Sequence, residues 1–135
     1  MEVNCPFCRV DAEEVVIEHD LVYARFDRYP VSRGHLLIIP KRHFADYFEA
    51  TRDEKIAILD VVDRAKQFLD SGYHPDGYNI GVNIGKVAGQ AVTHLHIHVI
   101  PRYKGDSRNH GGGMRRVIPG SVKGGKEHSS SPHRR

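Results

Sequence analysis

Apolar residues recur along the chain with two different periods, and the period assigns the element. Residues 14–18 and 21–27 are rich in β-branched and aromatic side chains and are separated by His19-Asp20, which predicts a hairpin. The run HLLIIP, from His35 to Pro40, is almost wholly apolar, the pattern of a strand covered on both faces. Thr51-Arg52-Asp53-Glu54 reads as a capping box, in which the Thr51 hydroxyl and the Glu54 carboxylate satisfy reciprocal N–H groups at a helix start. Leu59, Val62, Ala65 and Leu69 follow at three- and four-residue steps and predict an amphipathic helix of about 18 residues, ending at Ser71-Gly72. Two more strands, Tyr78 to Asn83 and His94 to Arg102, are joined by a glycine-rich loop. One long helix and a short one on a mostly antiparallel five-stranded sheet make an α+β domain.

Composition narrows the picture. At 135 residues and 39% hydrophobic, the chain supports one modest core, predicted over residues 1–119. From Gly120 the sequence GSVKGGKEHSSSPHRR has one Val to bury, so residues 120–135 are expected to form a disordered, solvated basic Gly/Ser/His tail. A formal charge of +3 is too mild to argue for a nucleic-acid partner. No apolar stretch approaches the roughly 18 residues of a membrane span, and the start MEVNCPFCRVDAEE lacks the regions of a secretory signal. The expectation is therefore a cytoplasmic protein with no membrane partner. Two cysteines, Cys5 and Cys8, exclude a disulfide framework.

Histidine is the residue in surplus, with 10 in the chain. The segment His94-Leu95-His96-Ile97-His98-Val99 alternates strictly, so in a strand Leu95, Ile97 and Val99 enter the core while the three imidazoles share the other face. Successive ones stand about 6.6 Å apart along the backbone. Such a row suits a three-histidine metal site, a half-exposed polar face, or a reactive site. An imidazole nitrogen attacks phosphorus when it is neutral and its other nitrogen donates, commonly to a backbone carbonyl. His96, flanked on both sides, is the best supported nucleophile, and His98 is placed to donate to phosphoryl oxygens. The loop from Gly81 to Gln90 offers close backbone approach at its glycines, amides at Asn83 and Gln90, and a cation at Lys86. Asp27, ending a strand, is placed to accept both hydroxyls of a ribose.

HLHIHVIPR, preceded by GQAVT, resembles the signature of the histidine triad (HIT) family of nucleotidyl hydrolases and transferases, whose pattern is His-φ-His-φ-His-φ-φ. The likeness runs through FDRYPVSRGHLLIIPKRHF, GVNIGKVAGQ, PRYKGD and RRVIPG, covering residues 4 to 119. It implies that His96 attacks an α-phosphorus to form a covalent nucleotidyl intermediate, that Asn83 and Gln90 contact phosphates, and that Asp27 holds the ribose. It also implies that His35 supports the triad, that no organic cofactor is used and that the chain forms a homodimer. The family's phosphoramidase branch carries a serine after the position of Gln90, where this chain has Ala91. A polyphosphate leaves as an anion without a protonating serine, which tilts the expectation toward dinucleoside polyphosphates, diadenosine tetraphosphate first. Phosphorolysis in place of hydrolysis, and a nucleotide-binding module without catalysis, remain as alternatives.

Cys5-Pro6-Phe7-Cys8 lacks the strand-to-helix context of a thioredoxin-type motif. Structural zinc needs two further ligands, and His43 with His94 completes a Cys2His2 set, an arrangement that HIT proteins with an N-terminal CxxC resemble. The alternative is two buried reduced thiols.

Overall fold

In the computed structural model, which describes residues 4–118, the chain runs β1 (Val15–Glu18), β2 (Val22–Phe26), β3 (Leu36–Pro40), a 3₁₀ turn (Tyr47–Glu49) and α1 (Arg52–Tyr73). It continues through β4 (Gly77–Val82), a second 3₁₀ turn (Lys86–Ala88) and β5 (Ile97–Arg102). These elements all belong to the first of two units, which divide between Tyr103 and Lys104. In the second unit a 3₁₀ turn spans Gly113–Arg116, and His110 hydrogen-bonds Asp106 at 2.7 Å. The tail expected over residues 120–135 lies outside the described residues.

The five strands form one sheet in the order β1-β2-β3-β5-β4, with every neighbouring pair antiparallel. This is the α+β architecture the pattern required, and alternation decides what each face holds. Val22, Ala24, Leu36, Ile38, Ile97 and Val99 face α1, whose Ala57, Ile58, Val61, Ala65 and Leu69 close over them as the main core. Tyr23, Leu37 and Ile39 face the other way and pack with Cys5, Phe7 and Cys8 of the N-terminal arm. Strand β3 is thus covered on both faces and wholly buried.

Three expectations shift. The capping box at Thr51 and Glu54 forms, but α1 continues through Ser71-Gly72 to Tyr73, and His74 caps it in the left-handed region by donating to the Leu69 carbonyl. Pro75, which cannot extend a helix, supplies the stop. The buried stripe passes through Ala57, Ile58 and Val61, and Leu59 is 66% exposed. Apolar residues occupy two sides of this helix, so steps of three and four can be drawn through either. Finally, β5 begins at Ile97 and not at His94. Its flanking strands run out there, since the last pairs are Ile38 with Ile97 and Val82 with Ile97. Upstream, the Leu95 amide donates to the Phe44 carbonyl at 2.7 Å. The alternation survives, because Leu95 and Ile97 still enter the core.

Candidate active site

The triad histidines, His98 on β5 and His94 and His96 in the segment just before it, lie on the face opposite α1, where each has its hydrogens fixed by a backbone or histidine partner. A carbonyl only accepts, so His96 Nδ1 must donate to the His94 carbonyl at 2.8 Å, and its Nε2 lone pair is left available. By the same logic His94 Nε2 donates to the Pro40 carbonyl at 2.7 Å and its Nδ1 lone pair is free. His98 is set by His35. The Val31 amide donates to His35 Nδ1 at 3.2 Å, so His35 Nε2 carries the proton and donates to His98 Nδ1 at 3.0 Å. That leaves His98 with an Nε2–H as its outward donor.

His35 reaches this place through a turn that only glycine makes easily. Gly34 has φ +86°, and a Cβ there would meet Leu69 at 3.0 Å and Pro101 at 3.3 Å. Asp27 is also fixed: one carboxylate oxygen accepts from the Tyr29 amide at 2.9 Å and the other lies 3.5 Å from His35 Nε2. Burial, then the neighbouring His96 and His35 rings, push His98 down to about 4, against a pull upward from Asp27. Burial also lowers His35, again opposed by Asp27. Both rings are neutral at neutral pH, as the tautomers just derived require.

A cleft of about 390 Å³ opens over this face. His96, His98, Asn83 and Asp27 line it, together with Phe7, Arg25, Arg28, Tyr29 and Leu37. Gln90 does not, although Gly89 and Ala91 on either side do. Its carboxamide is engaged, accepting from the Gly85 amide at 2.9 Å and donating to the Ala45 carbonyl at 3.0 Å, so it braces the loop. Lys86 is exposed. His35 lies beneath His98, 3% exposed. Phe7 and Arg25 escaped the sequence reading. Arg25 had left a signal, since it alternates with Asp27 and shares one face of the predicted strand with that candidate ribose ligand. For Phe7 no local signal existed, because the arm folds back over the sheet from far away in sequence.

His94 turns away from the cleft. Its Nδ1 lies 3.4 Å from Cys5 Sγ, 3.5 Å from Cys8 Sγ and 3.1 Å from His43 Nδ1, while His43 Nδ1 is 3.1 Å from Cys8 Sγ. These four donor atoms lie within 4.8 Å of one another. A tetrahedral zinc site with bonds of about 2.0–2.3 Å has ligand-to-ligand edges of roughly 3.3–3.8 Å, so the set fits such an ion with small adjustment. The Nδ1–Nδ1 contact has no hydrogen to share if both rings are neutral ligands, and a cation between them removes the conflict. Burial raises the Cys5 thiol, which a bound cation would reverse. The three-histidine metal site is not assembled: among the described residues His96 belongs to neither donor group.

The sequence profile of the HIT domain matches residues 9–105, beginning just past the arm that carries Cys5, Phe7 and Cys8. An uncharacterised HIT-like protein of Methanocaldococcus jannaschii is 41% identical over 107 residues, which cover 76% of this chain and 81% of the relative. An AP-4-A phosphorylase of Mycobacterium tuberculosis is 35% identical over 94 residues, 69% of this chain and 48% of the phosphorylase. A solved structure of a Zn-bound histidine triad family protein from Mycobacterium smegmatis superposes with a TM-score of 0.70 at 31% identity, covering 91% of this chain and 88% of that one. The profile takes in all five strands, α1 and the His94–His98 segment, and the chain belongs to the HIT family.

Proposed function

We propose that the protein cleaves a dinucleoside polyphosphate at an α-phosphorus by transferring the nucleotidyl group first to His96 and then to water. As a HIT-family enzyme it acts on phosphoric anhydride bonds. One observation carries the reading: His96 Nδ1 is committed to the His94 carbonyl, and its Nε2 lone pair is left free on a residue that lines the cleft. In the first step Nε2 donates its pair to phosphorus, and the P–O bond to the bridging oxygen breaks. The departing polyphosphate takes that electron pair, while the Nδ1–H bond to the carbonyl steadies the imidazolium that forms. The His98 Nε2–H and the Asn83 amide supply donors for the non-bridging oxygens, where charge accumulates. Water then attacks phosphorus, loses a proton to solvent, and the P–N bond breaks to return the pair to Nε2. Asp27 accepts the ribose hydroxyls. A nucleoside monophosphate is released.

The Cys5, Cys8, His43 and His94 set is read as a structural zinc site, supported by its donor chemistry and by the Zn-bound relative. When bound, the ion would tie the N-terminal arm to His94 and so steady the carbonyl that His96 uses. It takes no part in the chemistry.

Product analysis by chromatography after incubation with diadenosine tetraphosphate tests the reaction. AMP and ATP in phosphate-free buffer are expected. ADP formed only when inorganic phosphate is present would replace water by phosphate as the second nucleophile, the reading that the resemblance to a phosphorylase favours. No product under either condition would overturn the assignment.

A further inference from the structure

We propose that Arg25 makes the cleft select a base with two adjacent acceptors on its outer edge, a 6-oxopurine such as guanine, over adenine. The proposal rests on the reading above for where the phosphate and ribose lie. Arg25 is 3% exposed and lines the cleft two residues before Asp27, on the same face of the sheet. For so buried a charge its contacts are few and long. Nη2 reaches the Glu14 carboxylate at 3.3 Å, Nε the Phe26 carbonyl at 3.4 Å, and the guanidinium carbon is 5.9 Å from the centre of the Phe7 ring. Charge-assisted bonds of this kind usually run about 2.7–2.9 Å.

Glu14 is in fact held more closely by Arg28, through Nη2 at 2.9 Å and Nε at 3.1 Å. The Tyr23 hydroxyl donates to the Phe7 carbonyl at 2.7 Å and accepts on its oxygen from the neighbouring Arg25. Glu14, the Phe26 carbonyl and the Tyr23 hydroxyl together do not use all five N–H donors of the guanidinium. A guanidinium cannot neutralise itself by losing a proton, so a buried one with unused donors is stabilised by an acceptor that arrives with a ligand.

The register says which part of a nucleotide would reach it. Arg25 pairs with Leu37 and Leu37 pairs with His98, so the three lie side by side on one face. Two interstrand steps of about 4.8 Å put the Arg25 backbone about 10 Å from that of His98. This is comparable to the reach of a nucleotide from phosphorus to the outer edge of its base. With phosphate at His96 and His98 and ribose at Asp27, the base lies over Leu37 and against Phe7 with its edge toward Arg25. Guanine offers O6 and N7 side by side, a spacing the guanidinium fork matches. Adenine offers N7 beside an amino group, whose hydrogens would face those of the guanidinium.

Calorimetric titration of the full chain with GMP and AMP tests this, beside kcat/KM for the guanosine and adenosine dinucleoside tetraphosphates. GMP is expected to bind at least about tenfold more tightly than AMP, with the same order in kcat/KM. Arg25→Met keeps the stem and leaves Glu14 paired to Arg28, and it is expected to bring the ratio toward one by weakening GMP alone. Arg25→Lys, which keeps the charge and loses the fork, is expected to lose most of the preference. Equal or tighter AMP binding in the wild type overturns the proposal. So does a ratio unchanged in Arg25→Met, or an equal loss for both nucleotides, which would mark a phosphate or purely structural contact. A guanine preference in binding without turnover would keep Arg25 in this role and remove the hydrolase reading; turnover without base preference would do the reverse.

Discussion

At the scale of single residues, the site depends on where four imidazoles keep their hydrogens. His96→Ala removes the atom that bonds phosphorus, so kcat/KM should fall by about 10⁴-fold or more while nucleotide affinity stays within a few-fold. Turnover near the wild-type level in that variant would take His96 out of its role. The His98 prediction concerns a proton. Its Nδ1 accepts from His35, so long-range ¹H–¹⁵N spectra should show the Nε2–H tautomer, titrating near the value of about 4 to which burial pushes it. A titration near 6.5 with mixed tautomers would refute the hydrogen-bond chain. The sign for stability follows. A histidine with a depressed folded pKa takes up its proton more readily in the unfolded chain, so His98 costs nothing above about pH 6.5 and destabilises the fold as pH drops toward 4. His35, lowered by burial, adds in the same direction. Denaturant midpoints measured from pH 7 to pH 4.5 should decline.

At the scale of elements, much of the sheet was legible because alternation is local. HLLIIP has no polar position, and β3 is buried on both faces; the spacing of His94, His96 and His98 put them together on the face away from α1. What was not legible depends on partners distant in sequence. The start of β5 is set by where β3 and β4 end, and the walls of the cleft by an arm that only tertiary contact brings over Leu37. The side of α1 that enters the core was also ambiguous, since Leu59 and Ile58 are equally apolar and only the sheet beneath chooses. Two substitutions quantify that choice. Leu69→Ala, at a site with no exposure, should cost about 2–5 kcal/mol, whereas Leu59→Ala should cost less than about 0.5 kcal/mol in chemical denaturation. The arm supplies a further prediction. If zinc joins Cys5 and Cys8 to His43 and His94, metal analysis should find one zinc per chain, and chelation should lower the thermal midpoint by about 10 °C. Activity measured at once at low temperature should largely persist. Its immediate loss with the fold intact would place a metal in the chemistry.

At the scale of the whole molecule, the question is what covers the far edge of the sheet. Among the described residues β4 has a strand on one side only, and a row of unpaired backbone groups is a template for another chain. Ile80 lies on its α1-facing side, opposite Val99, yet is 49% exposed. Tyr78, on the same side of β4, donates its hydroxyl to Asp70 at 2.6 Å, which brings this flank of α1 to the strand. Leu59 and Val62 continue that flank about three and two turns before Asp70. The apolar residues that the helix does not use for its own core thus gather beside an open strand edge, a combination that in a soluble chain marks an interface. The expected state is the homodimer that membership of the HIT family suggested, with light scattering giving twice the monomer mass at micromolar concentration. Ile80→Asp should shift that mass toward the monomer, while circular dichroism stays unchanged because the main core does not include Ile80. The cleft lies on the opposite face of the sheet, so nucleotide affinity should survive dissociation. A monomeric wild type, or an Ile80→Asp protein that remains dimeric, would assign the exposed flank of α1 and β4 to a different partner.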